Sequence, residues 1–187
     1  FRTRGSKERN LKQAFGELER MSAALGIPKQ CRETAAVIYR QAVEEDLLPG
    51  RSIEAMTAAS IYAAARQHNA PRTLSALESV SRVEKLPIQR AYRYLSQELG
   101  LAIPPQDPME YLPQFASELE VGGDVEQLAR EILEVAKRRG IHTGKKPAGV
   151  TAAAIYAAAR RSSEHLTQPT VSERVDVSVI TIRKRYQ

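Results

Sequence analysis

The chain has 187 residues, 42% of them hydrophobic and none of them Trp, which is enough for two domains of about 90 residues with aliphatic cores. A single Cys31 excludes an internal disulfide or a cysteine-built zinc site, no apolar run approaches the roughly 18 residues of a membrane span, and no signal-peptide pattern opens the sequence. Twenty-eight Lys and Arg against 22 Asp and Glu leave a net charge of +6, which points to an acidic partner, nucleic acid first among candidates.

In chain order, Phe1-Arg2-Thr3-Arg4-Gly5 reads as a cut linker. Leu11, Phe15, Leu18, Met21 and Leu25 then mark a first helix, stopped by Gly26 and Pro28. A second runs from about Gln30 to Glu45 with Ala35, Ile38, Ala42 and Val43 inward. Pro49-Gly50 turns the chain, and Ser52 is a good N-cap for a third helix. A short fourth follows Thr73, and a fifth spans about Lys85 to Leu99. Gly100 to Gln106, with Pro104-Pro105, is the linker. The five elements then recur. Asp107-Pro108 opens the first, Gly122-Gly123-Asp124 the second and Gly144 to Pro147 the third. No segment reads as a strand, and Gln187 falls inside a helical pattern, so a core fragment of a longer protein is expected.

The recurrence is literal. Thr57 to Arg66 returns as Thr151 to Arg160 with only Ser60/Ala154 different, at a constant offset of 94 residues. The same offset pairs Leu25 with Leu119, Gly50 with Gly144, Ile88 with Ile182 and Tyr92 with Tyr186. A unit this long is a duplicated domain rather than a solenoid repeat. Residues 1–102 and 103–187 are taken as the two copies. The third helix of each carries Ala, Ile or Tyr on every face, and a helix apolar all round is buried all round. It is expected in the middle of four others, with Tyr62 and Tyr156 in the core and their hydroxyls hydrogen-bonded. Arg66 and Arg160 are expected to serve the helix dipole and local packing.

The end of the second copy reads as a helix-turn-helix. Thr167 can cap a short helix with Pro169 in its first turn, and Val175-Asp176-Val177 makes a tight turn. Ser178 then caps a helix from Val179. Val179, Ile182 and Tyr186 share one face as the packing stripe, while Ile180, Arg183 and Lys184 share the other. An aliphatic side chain beside two cations suits a major groove, with Arg to guanine and Ile to a thymine methyl; a solvated charged face is the bland alternative. In the first copy the matching positions are Leu86, Gln89 and Arg90, with Pro87 in the first turn and Lys85 in the place of Val179. That copy is expected to touch backbone or protein rather than to read bases.

Charge is polarised in the second copy. Eight acids lie between Asp107 and Glu134 against Arg130 alone, and Lys137, Arg138, Arg139, Lys145, Lys146, Arg183, Lys184 and Arg185 follow. Lys145 and Lys146 precede a helix N-terminus, as Arg51 does in the first copy, and such ends favour phosphate. A P-loop at Gly140 to Lys145 fails, because it is one residue short, lacks Ser or Thr after the first Lys and follows a helix. Catalysis finds no support either, since His68, His142 and His165 are scattered and Cys31 has no recurring His partner.

Five helices, one of them a central small-residue helix, in tandem, is the pattern of the cyclin fold. Lys7-Glu8-Arg9-Asn10-Leu11, Pro49-Gly50-Arg51-Ser52-Ile53-Glu54, Gly144-Lys145-Lys146-Pro147-Ala148-Gly149 and Thr181-Ile182-Arg183-Lys184-Arg185-Tyr186 together resemble the core of archaeal transcription factor B, of the transcription initiation factor IIB family. The likeness covers essentially the whole chain. It implies an all-α fold of two tandem five-helix cyclin-like repeats, the second ending in the helix-turn-helix. It further implies a non-enzymatic, monomeric general transcription factor. Its expected partners are promoter DNA, the TATA-box-binding protein and, in the full-length protein, RNA polymerase, with no membrane association. In relatives the last helix reads the B recognition element upstream of the TATA box. The motif-matching positions are Gln168, Ile180 and Arg183, and relatives commonly carry Val where this chain has Ile180. Lys145, Lys146, Lys184 and Thr167 are the expected DNA-backbone contacts. Arg51 and Lys85 are the expected contacts to the TATA-box-binding protein. No cofactor is expected, zinc belonging to an N-terminal ribbon outside this sequence. The place of work is the archaeal cytoplasm, at the nucleoid, or a nucleus in a eukaryote. The rival is a cyclin-like interaction module, a kinase activator or adaptor without sequence-specific DNA binding.

Overall fold

The computed structural model describes residues 2–187, with side chains from Arg4 onward; Phe1 of the expected linker lies outside the described residues. Ten α-helices and no strand are found among the described residues. They fall into two compact units that divide between Pro105 and Gln106, later than the 102/103 division expected from the sequence. The linker explains the difference: Leu101 and Ile103 pack on the first core, and Arg66 and Gln67 hydrogen-bond the carbonyls of Pro104 and Ala102 at 3.2 and 3.3 Å.

In the first unit α1 covers Arg2–Ala24, α2 Lys29–Glu44, α3 Ile53–Gln67, α4 Leu74–Val80 and α5 Lys85–Glu98. Arg2–Gly5 is therefore the first turn of α1 and not a linker. There the Gly5 carbonyl accepts from Arg9 Nε at 3.3 Å, and an exposed Arg4–Glu8 pair spans the turn. Helix α1 stops at Gly26, whose φ of +60° admits the turn that sends the Ile27 N–H back to the Ser22 carbonyl. Helix α3 sits in the middle, packed by α1, α2, α4 and α5. Ala58, Ala59, Ile61, Ala63, Ala64 and Ala65 are fully buried, as the absence of any polar stripe requires. The Thr57 and Ser60 hydroxyls are satisfied by the carbonyls one turn back, at 2.6 and 2.8 Å.

The second unit repeats the plan around its own core. A 3₁₀ turn at Pro108–Tyr111 leads into α6 (Leu112–Glu118), followed by α7 (Gly123–Arg138), α8 (Pro147–Arg161), α9 (Gln168–Val175) and α10 (Val179–Tyr186). The expected single opening helix is thus split. Pro113 has no N–H to return to the Met109 carbonyl, so that carbonyl is taken by the Leu112 N–H and the first turn stays 3₁₀. Helix α8 is the central element, in contact with the 3₁₀ turn, α6, α7, α9 and α10. The Thr151 hydroxyl fastens it to the Pro108 carbonyl at 2.6 Å.

Candidate nucleic-acid interface

Helices α9 and α10 form a helix-turn-helix whose every bend has a local cause. Thr167 N-caps α9, accepting the Thr170 N–H at 3.3 Å, and Pro169 occupies the first turn. Asp176 ends α9 in the left-handed region, φ +51° and ψ +47°, a conformation Asp tolerates better than most residues. Ser178 caps α10, accepting the Thr181 N–H at 3.1 Å, with its hydroxyl 2.8 Å from that of Thr181. Val171, Val175, Val177 and Ile182 are buried in the second core, so the turn is anchored from both sides.

On α10 the outer face holds Ile180, 63% exposed, with exposed Arg183 and Lys184 beside it. An exposed Ile next to two cations matches a surface offering both methyl groups and negative charge. Of the expected packing stripe only Ile182 is fully inside; Val179 is half-buried and Tyr186 is 40% exposed. The Tyr186 ring instead stands edge-on to Tyr156 at 5.1 Å, with the Arg160 guanidinium 5.7 Å from its centroid. Gln168 is half-buried and lines a cavity of ≈ 520 Å³ with Tyr156, Arg160, His165 and Thr167. It therefore lies on the α8–α9 wall, while Ile180 and Arg183 lie on the outer face of α10.

The cationic run after residue 136 is less uniform than its sequence. Lys137 Nζ donates to Asp107 Oδ2, so it is committed to the fold. Acids at Asp124 and Glu126 and bases at Lys137 and Arg138 stand at opposite ends of α7, where they also suit its dipole. Lys146 is exposed at the N-cap position of α8, and Lys145 is half-buried and lines a small cavity with Ile132, Ile141 and Val150. At that helix start Pro147 has no N–H and the Gly149 N–H returns to the Lys146 carbonyl at 3.1 Å, so the lysines carry most of the attraction for phosphate.

The first unit is built differently at the matching places. Ser52 caps α3 through the Ala55 N–H at 3.1 Å, and the Arg51 guanidinium stacks on the Tyr94 ring at 3.5 Å. Lys85 is half-buried at the start of α5, and its backbone N–H donates to Glu78 Oε2 at 2.7 Å. With Glu84 as N-cap residue, the head of α5 carries two carboxylates where α10 and its surroundings carry Ser172 and Ser178. Negative charge suits a helix N-terminus but repels phosphate.

Burial pushes the Cys31 thiol up despite the nearby Arg72 charge, so its nucleophilic form is disfavoured. His68 Nε2 is 2.6 Å from the Thr34 hydroxyl, and no group of His, Cys, Asp or Glu among the described residues is arranged to hold a metal ion.

In the sequence Gly149 stands out only as the end of the 144–149 string, with no role of its own. A Cβ at this position of α8 would lie 2.8 Å from the Thr181 Cγ2 of α10. A glycine in the first turn of an otherwise alanine-rich helix was the available signal.

The family description "Transcription factor TFIIB repeat" matches residues 7–98 and again 102–187. The chain is 56% identical over 186 residues to transcription initiation factor IIB 6 of Halobacterium salinarum, covering 100% of this chain and 58% of that protein. It is 55% identical over 187 residues to transcription initiation factor IIB 2 of Haloferax volcanii, covering 100% of this chain and 56% of that protein. Against transcription initiation factor IIB of Archaeoglobus fulgidus the identity is 47% over 187 residues, 100% of this chain and 57% of that protein. The chain thus spans somewhat more than half the length of these relatives.

Proposed function

Because this chain belongs to the transcription factor TFIIB repeat family, we propose that it is the promoter-binding core of an archaeal general transcription initiation factor, without catalytic activity of its own. The observation that carries this reading is the outer face of α10. Ile180, Arg183 and Lys184 project from a helix pinned behind by the buried Ile182, which is how a recognition helix offers side chains to a major groove. In this reading Arg183 pairs with a guanine and Ile180 packs on a thymine methyl in the B recognition element, with Gln168 reading from the start of α9. Lys145, Lys146, Lys184 and Thr167 hold the phosphate backbone.

The TATA-box-binding protein bends the DNA and supplies protein contacts at Arg51 and Lys85. Arg51 is already ordered by stacking on Tyr94, which lowers the entropy lost when a partner engages it. Reading an element on one side of the TATA box orients the assembly and so the direction in which RNA polymerase is recruited. The chain acts as a monomer in the archaeal cytoplasm, at the nucleoid.

Gel shift with TATA-containing duplex tests this. The chain alone binds weakly and releases with added salt, and the TATA-box-binding protein strengthens the complex on the same DNA. A chain that ignores DNA in both conditions contradicts the reading.

A further inference from the structure

Glycine is the poorest helix former after proline, so a buried one inside a helix calls for a packing reason. Gly149, buried near the start of α8, has one: an added Cβ would stand 2.8 Å from Thr181 Cγ2 and 4.0 Å from Val177 Cγ1. Thr181 cannot simply turn its methyl away. Its hydroxyl lies 2.8 Å from the Ser178 hydroxyl, so rotation about χ1 would leave the backbone cap of α10 in place but give up that hydroxyl pair and the favoured rotamer of a β-branched side chain.

We infer that Gly149 and Thr181 form the seat that sets how far α10 stands from α8, and that Gly149 is therefore a positioning residue for base selection by Ile180 and Arg183. The inference rests on α10 as the base-reading helix. Restoring ordinary contact after adding a Cβ moves α10 outward by roughly half an ångström, comparable with the whole tolerance of a hydrogen bond to a base edge. Phosphate contacts made through flexible lysine stems absorb such a shift. The first copy supports the assignment by contrast. In its register the two positions are Ala55, which carries the Cβ, and Pro87, which is exposed and holds no such seat.

The test compares wild type, Gly149→Ala, Thr181→Ser, the double variant and Arg183→Ala. Binding is measured with the TATA-box-binding protein on one promoter duplex with its natural upstream element and one with that element scrambled. Thermal melts establish that each variant is folded. Gly149→Ala loses about three- to tenfold of the preference for the natural element, with affinity for the scrambled duplex unchanged. Thr181→Ser, which removes the methyl and keeps the hydroxyl, stays near wild type and restores the preference in the double variant. If Gly149→Ala does not fold, a folded double variant with wild-type preference carries the same conclusion. A preference unchanged in Gly149→Ala, or equally damaged in single and double variants, overturns the seat. If Arg183→Ala keeps full preference, base reading by α10 falls and the seat with it; if Arg183→Ala alone loses the preference, only the seat falls.

Discussion

Asp107 has two tasks, and they can be separated by one atom. Its Oδ1 accepts the Met109 N–H at 2.9 Å at the head of the 3₁₀ turn, and its Oδ2 accepts from Lys137. Burial alone would raise its carboxyl, but the bond and charge of Lys137 and the Met109 N–H outweigh it and hold the group below its ordinary 3.8. A lowered carboxylate contributes stability above its unfolded value and loses it as pH falls through the folded one. Asp107→Asn keeps the cap and removes the charge. It should cost about 0.5 kcal/mol at pH 7, the scale of a partly exposed pair, with the difference from wild type shrinking in thermal melts as pH falls through the lowered folded value. Cys31 offers a second residue-level check. Its thiol is 1% exposed and pushed upward by burial, so alkylation in the native state should be slow at pH 8 and become fast only when denaturant unfolds the first unit.

At the scale of the element, caps and small residues decide the geometry of the interface. Ser178→Ala removes the acceptor for the Thr181 N–H and should cost about 1 kcal/mol, visible as a lower urea midpoint at constant slope. Ala152, fully buried in the middle of α8, should tolerate no larger side chain, and Ala152→Leu should cost about 1–3 kcal/mol through overpacking. Much at this scale was legible in advance. Ser52, Thr73, Thr167 and Ser178 were read as caps or helix starts, and each accepts the expected N–H. The unbroken apolar character of α3 and α8 revealed their central place.

The misses have physical causes. Pro113 lies within the helix expected from Asp107 and removes a donor that helix needs. Tyr186 was assigned inward by periodicity, but its ring is spent against Tyr156 and Arg160 at the surface. Nothing in one-dimensional spacing reveals that Gly149 faces Thr181, because that distance exists only once two helices cross.

For the whole molecule, duplication explains the fold, and divergence between the copies gives them different surfaces. The offset of 94 residues was readable without a structure, since identical core patterns demand identical packing. The difference in surface chemistry was readable only in part. Gln89 against Arg183 was evident from register, whereas the carboxylate of Glu78 on the head of α5 required coordinates. Net charge predicts salt-dependent binding, and removal of one backbone cation should reduce the slope of log affinity against log salt by about 1, so Lys146→Ala is expected to bind less steeply.

The most direct measurement is equilibrium binding of wild type, Arg183→Ala and Lys146→Ala to promoter duplexes with an intact or a scrambled upstream element, the TATA-box-binding protein being present throughout. Arg183→Ala should lose about 1–3 kcal/mol on the intact element and almost nothing on the scrambled one, while Lys146→Ala weakens both alike. Equal losses for Arg183→Ala on the two duplexes would contradict a recognition helix at α10.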